Sequence, residues 1–78
     1  MRVVKEITNK ACKVTVFSWN EKFLIKLEHH GMEQTFKVSE FDVLEQELEE
    51  LLSDEFMQEA IARFQEMAKS LGRSMSKL

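Results

Sequence analysis

Residues 13–39 read KVTVFSWNEKFLIKLEHHGMEQTFKVS. Through most of this stretch apolar side chains alternate with polar ones, the period of a strand with one buried face. The β-branched run Lys13 to Ser18 is a strand by composition as well. Phe23 to Glu28 and Met32 to Val38 repeat the alternation. Polar breaks at Trp19–Lys22 and His29–Gly31 separate the three segments, and each suits a hairpin turn.

The register follows from the turns. If Asn20–Glu21 is a two-residue loop, Phe17 faces Leu24, Val16 faces Ile25, Thr15 faces Lys26, Val14 faces Leu27 and Lys13 faces Glu28. If His30–Gly31 is the second loop, Ile25 faces Phe36 and Phe23 faces Val38. Both hairpins then sort the same residues onto the same faces, and a slip by one residue would destroy that agreement. One face (face A) holds Cys12, Val14, Val16, Phe23, Ile25, Leu27, Met32, Phe36 and Val38. The other (face B) holds Lys13, Thr15, Phe17, Trp19, Lys22, Leu24, Lys26, Glu28, Glu33, Thr35 and Lys37. Glu21 is an unfavoured residue for a type I′ turn, which argues for a longer first loop. Upstream, Val3 to Ile7 reads as a first strand and Thr8-Asn9-Lys10 as its turn.

After Ser39 the period changes to that of a helix. Asp42 followed by Glu45 suggests a capped start to a short helix over 42–52, with Leu44, Leu48, Leu51 and Leu52 as its stripe. Ser53 is placed to cap a second helix, with Asp54 and Glu55 in its first turn, where acid complements the helix dipole. This helix extends over 54–71, and residues 72–78 either continue it or fray after Gly72. The expected fold is α+β: an antiparallel four-stranded meander followed by two helices packed on face A, in one domain spanning 1–78.

The charge is blocked in the same way. Residues 1–37 carry seven basic and four acidic side chains, residues 38–62 nine acidic and no basic, and residues 63–78 four basic and one acidic. The whole carries −3, which argues against a general nucleic-acid coat. The acidic run is read as a solvated helix face, or as a surface that meets the basic end of the same helix in an antiparallel dimer. The chain has a single cysteine, no apolar run long enough for a membrane span, and charges within its first six residues where a signal peptide needs apolar ones. These features favour a cytoplasmic protein that does not enter membranes. Cys12 itself is expected to be buried.

Two surfaces could carry function. Met57, Ile61, Phe64, Ala68, Leu71, Met75 and Leu78 form a heptad-like seam on the last helix. A seven-residue strand spans roughly 23 Å at about 3.3 Å per residue, whereas a helix from Asp54 to Leu78 would span roughly 37 Å. The end of the helix therefore overhangs its sheet. Phe64, Ala68, Leu71, Met75 and Leu78 are the candidates for self-association as a homodimer, with a further protein partner as a second option. Face B offers Lys13, Phe17, Trp19, Lys22, Lys26 and Lys37, cations among aromatics, as a candidate surface for a single-stranded nucleic acid. A sheet followed by helix is similar in layout to the PUR-type single-strand-binding domains, in which helices back one side of the sheet and dimerisation is common. The similarity implies an architecture and assigns no residue.

Nothing in the chain points to chemistry. There is no glycine-rich phosphate loop, no Ser/His/Asp set, and the one thiol is on the core side. His29 and His30 stand beside Glu28 and Glu33, but adjacent side chains in a strand or tight turn diverge, and no zinc-ligand spacing occurs. No enzyme activity, cofactor or metal site is expected. The reading is a small non-enzymatic interaction module.

Overall fold

The computed structural model describes residues 1–8 and 12–78. Four strands, β1 (Arg2–Thr8), β2 (Lys13–Trp19), β3 (Lys22–His29) and β4 (Met32–Ser39), form one antiparallel sheet in the order β1-β2-β3-β4. A 3-10 turn over Glu45–Glu47 leads into α1 (Leu48–Leu51), and α2 (Asp54–Met75) completes the fold. The turn expected at Thr8-Asn9-Lys10 falls on residues outside those described, apart from Thr8, which ends β1.

The register of the two hairpins is the one that alternation dictates. Val14 pairs with Leu27, Val16 with Ile25 and Phe17 with Leu24, while Ile25 pairs with Phe36 and Phe23 with Val38. Both loops have two residues. The first puts Asn20 and Glu21 at φ 53° and 63°, and the second puts His30 and Gly31 at φ 46° and 78°. Positive φ at both central residues gives the turn a twist that matches the strands. The longer loop inferred from Glu21 is therefore corrected: the agreement of both hairpins on one buried face outweighs the cost of a left-handed glutamate.

β1 carries an irregularity. Val3 lies opposite Phe17 and Lys5 opposite Val16, which leaves Val4 as an extra residue in the ladder. A bulge of this kind lets two consecutive side chains lean to one side. Val4 packs against the core, and Lys5 reaches the helical layer, where its Nζ lies 2.7 Å from Glu49 Oε1.

Face A is the core. Cys12, Val14, Val16, Phe23, Ile25 and Leu27 are buried together with Leu48 of α1 and Met57, Ala60 and Phe64 of α2. Burial raises the Cys12 thiol above its ordinary pKa. Phe36 meets Phe56 at 5.5 Å between ring centroids, and the Arg63 guanidinium lies over both rings. Gln34, paired with Leu27 on the same face, donates to the Ala60 carbonyl oxygen at 2.9 Å and accepts from Arg63 Nε at 2.8 Å. These contacts set α2 beside β4.

Two helix boundaries differ from expectation. Asp42 does not cap a helix: it sits in a turn, its N–H donated to the Ser39 carbonyl, and the residue that precedes the first helical turn is Leu44. Helical structure begins three residues later, where Glu47 Oε1 accepts the Leu44 N–H at 2.8 Å. α2 begins as expected, with Ser53 Oγ accepting the Phe56 N–H. At its other end it runs through Gly72 to Met75, and the Ser76 N–H still reaches the Gly72 carbonyl at 3.0 Å. Gly72 has no left-handed φ and so ends nothing.

Candidate functional site

The seam of α2 divides sharply along its length. Met57 and Phe64 are buried, Ile61 is half-buried, and Met67 packs against the edge of the core. Beyond Met67 every residue is exposed, with Leu71 at 55% and Met75 at 58%. The cause is length. An eight-residue strand covers roughly 26 Å, whereas the longest dimension of the protein is 44 Å. The sheet ends beneath Phe64, whose ring sits 5.4 Å from that of His29, the last residue of β3. Beyond that point no described strand lies beneath the helix.

Of the five seam residues expected to self-associate, Ala68, Leu71 and Met75 lie on this overhang and Leu78 lies just past the C-cap at Ser76. Phe64 does not, being 1% exposed and part of the protein's own core. Its correction follows from the sheet reaching one turn further than the seam alone indicates. At 100° per residue, Leu71 and Met75 lie on the same side of α2 as Met57 and Phe64. The free apolar strip therefore points to the side on which the sheet lies, past its end. The strip is flanked by Ser70, Gly72, Ser74 and Ser76, while Lys69 and Arg73 project from the opposite side. Among the described residues, no long charged side chain of α2 projects on the side of the strip.

The open face of the sheet is the second site. Lys13, Phe17, Trp19, Lys22, Lys26 and Lys37 do share face B, in cross-strand rows. Trp19 stands opposite Lys22, and Phe17, Leu24 and Lys37 form the next row, with Val3 of β1 extending it. These rows contain no carboxylate. The rows further along differ. Lys26 lies 3.9 Å from Glu28 and 3.5 Å from Glu33, and Lys13 shares its row with those two glutamates. Lys26 is thus paired with acid and Lys13 stands in an acidic row, whereas the rows of Lys22 and Lys37 carry cations with no carboxylate among them. Trp19 is 50% exposed and Val3 52%, so this half of face B is apolar and wet.

The histidines behave differently from expectation. Their side chains do not diverge: the His29 and His30 rings meet edge to face at 4.1 Å, because the left-handed φ of His30 folds it back. Among the described residues no group of three or more His, Cys, Asp or Glu side chains is arranged to hold a metal ion.

Charge is sorted by layer. The acidic residues from Glu40 to Glu59 lie on the segment that forms the helical layer, and Arg2 and Lys5 of β1 reach across to Glu45 and Glu49. Glu49 is held below its ordinary pKa by the hydrogen bond from Lys5, reinforced by the charge of that ammonium. Among the described residues no helix is long and apolar enough to cross a membrane. Comparison with family models, curated proteins and solved structures yields no match.

Proposed function

We propose that the protein is a small interaction module that forms a homodimer through the overhanging end of α2. The observation that carries this reading is the exposure of Leu71 and Met75 on a helix whose earlier seam residues Met57 and Phe64 are buried in the core. An apolar strip on a regular helix, unscreened by charge, needs cover, and a second copy supplies an identical strip.

The energetics favour a weak, concentration-dependent dimer. Fully burying a leucine or methionine contributes about 1.5–3 kcal/mol; Leu71 and Met75 of each strip are already partly covered and Leu78 is fully exposed, so six side chains contribute roughly 6–12 kcal/mol. Association costs about 4–15 kcal/mol. A balance of this size places dissociation in the micromolar range or weaker. Sedimentation over a concentration series tests it. The wild-type chain should gain mass with concentration and Leu71→Lys should remain monomeric. A wild-type chain that stays monomeric at high micromolar concentration sinks the reading.

A second reading is favoured by a different observation, the rows of Trp19 and Lys22 and of Phe17, Leu24 and Lys37. Aromatics two residues apart on the open face of a backed four-stranded sheet can stack successive bases, while lysines beside them meet phosphates. Trp19 is the only tryptophan, so its fluorescence reports the site directly. A single-stranded oligonucleotide should quench it at low salt. With two phosphate contacts the affinity should fall about sevenfold for a fourfold rise in salt. The Lys22→Glu/Lys37→Glu variant should lose binding. Absence of quenching at low salt removes this reading and leaves the dimer untouched.

A further inference from the structure

The sheet has two edges, and only one is regular. β1 is interrupted by the bulge at Val4, a feature that keeps an edge from templating another strand. β4 pairs with β3 without a break, from Met32 opposite His29 to Ser39 opposite Lys22, and among the described residues no strand lies on its other side. Backbone groups along an antiparallel strand turn alternately to one neighbour and the other. The Glu40 N–H, donated to the Glu21 carbonyl, fixes that alternation in β4. Gln34, Phe36 and Val38 turn their N–H and C=O groups to β3. Glu33, Thr35 and Lys37 turn theirs outward, and their side chains are exposed on face B.

These outward residues carry charge that their own sheet leaves unbalanced. Glu33 stands directly opposite Glu28, an unfavourable like-charge pair, and the two share Lys26. Lys37 lies in a row with Leu24, Phe17 and Val3, which holds no carboxylate. The surplus acid and the surplus base sit two residues either side of Thr35. A second β4 laid antiparallel along the edge, with its two-fold axis at Thr35, puts each Glu33 opposite the other copy's Lys37. No other register does so. An axis at Gln34 or Phe36 sets both charges against uncharged residues, and an axis at Glu33 or Lys37 sets like charges face to face.

The helical layer leaves the edge accessible. At 100° per residue, Met57, Ala60 and Phe64 form the buried side of α2, and Phe56, Arg63 and Met67 lie on one flank of it. That flank meets β4 at Phe36 and Gln34. α2 thus stands inward of the edge, and a groove of about 440 Å³ lined by Gln34, Ala62, Arg63, Glu66 and Met67 opens beside it. With the axis at Thr35, Phe36 of the other copy comes opposite Gln34, one of the residues lining this groove.

We infer that β4 is a self-recognition edge: a second copy adds its own β4 antiparallel about a two-fold axis at Thr35, with Glu33 of each copy against Lys37 of the other, so that one sheet runs through both. Such an interface is isologous, the same edge being used on both sides. The contact is separate from the strip on α2 and stands or falls without it. Its charge pairs are exposed and its surface is largely polar, so it belongs to the weak class of interfaces and forms in the millimolar range, above the concentrations at which α2 pairs.

The test uses the Leu71→Lys chain as parent, which removes pairing through α2. At millimolar concentration the parent should sediment as a dimer, and the amides of Glu33, Thr35 and Lys37 should gain protection from hydrogen exchange. Glu33→Lys and Lys37→Glu, each added to the parent, should weaken association by about tenfold or more, because like charges then face each other across the axis. The double variant Glu33→Lys/Lys37→Glu should associate as the parent does, and so should an equimolar mixture of the two single variants. Thr35→Pro removes an outward N–H while sparing the β3–β4 ladder, and should abolish pairing in a chain that still unfolds cooperatively. A parent that stays monomeric at millimolar concentration overturns the inference. So does a double variant or a mixture that associates no better than the single variants, or protection gained on β1 instead of β4. None of these results touches pairing through α2, which is read on the wild-type chain in the micromolar range.

Discussion

Gln34 of the edge strand β4 accepts a hydrogen bond from Arg63 Nε at 2.8 Å while its own Nε2 donates to the Ala60 carbonyl at 2.9 Å. One side chain thus clamps α2 to the sheet at two points a turn apart. The same arginine lies over Phe36 and Phe56. Gln34→Ala removes both hydrogen bonds and should cost about 1–2 kcal/mol, given roughly 0.5–1.5 kcal/mol for each. Gln34→Leu should cost less, because the Ala60 carbonyl keeps its place in the helix ladder and Arg63 is exposed to water. Urea denaturation of the two variants checks the order.

At the opposite edge, Lys5 and Glu49 tie β1 to α1. The pairing lowers the Glu49 pKa from its ordinary 4.5. A carboxylate with a depressed folded-state pKa contributes stability above its unfolded pKa and loses it as pH falls through the folded one. The wild type should therefore be more stable than Lys5→Met at pH 7, by a small amount because Glu49 is exposed. The difference should begin to shrink as pH falls below about 4.5 and vanish once pH is below the lowered folded-state pKa of Glu49. A difference that persists at pH 2.5 would show that the lysine acts through packing of its stem rather than through its charge.

What could be read from the sequence is what several residues specify at once. The pairing of β2, β3 and β4 is fixed jointly by two turns and by nine alternating apolar positions, so it was legible residue by residue. The bulge in β1 was not, because Val3 and Val4 are both apolar and either could have faced the core. Asp42 has the local spacing of a cap relative to Glu45, yet it is held in a turn with Ser39 and helical structure starts only at Glu45. Gly72 looked like a stop because glycine often ends helices, but nothing after it requires a left-handed residue. The free strip was inferred from lengths. Its exact start was not, since only the contact of Phe64 with His29 shows where the sheet gives out. On face B the sequence placed all six residues correctly but could not show that Glu28 and Glu33 would take Lys26.

Glu21 holds φ at 63° in the first hairpin, where a side chain is strained and glycine is not. Glu21→Gly should raise stability by about 1 kcal/mol, since a left-handed conformation costs roughly 1–2 kcal/mol for a residue with a Cβ and glycine gives part of that back as unfolded-chain entropy. The Glu21 carbonyl that accepts the Glu40 N–H is backbone and survives the change. The midpoint of thermal unfolding should rise. A fall would mean that the Glu21 side chain makes a contribution larger than the strain it bears.

Phe64 and Leu71 are one heptad apart on one side of one helix, yet they should respond oppositely to protein concentration. Phe64→Ala opens a cavity in a buried site and should cost about 3–5 kcal/mol at any concentration. In a domain of this size that is most of the total stability. Leu71→Ala leaves a half-exposed site and should cost less than about 0.5 kcal/mol in dilute solution. Association stabilises the folded state by mass action, so the wild type gains stability as concentration rises and Leu71→Ala does not. Unfolding curves at low and high micromolar concentration should therefore separate for Leu71→Ala and keep a constant spacing for Phe64→Ala. If the Leu71→Ala difference stays small at the highest concentration, the strip is left uncovered in solution and self-association through α2 is wrong.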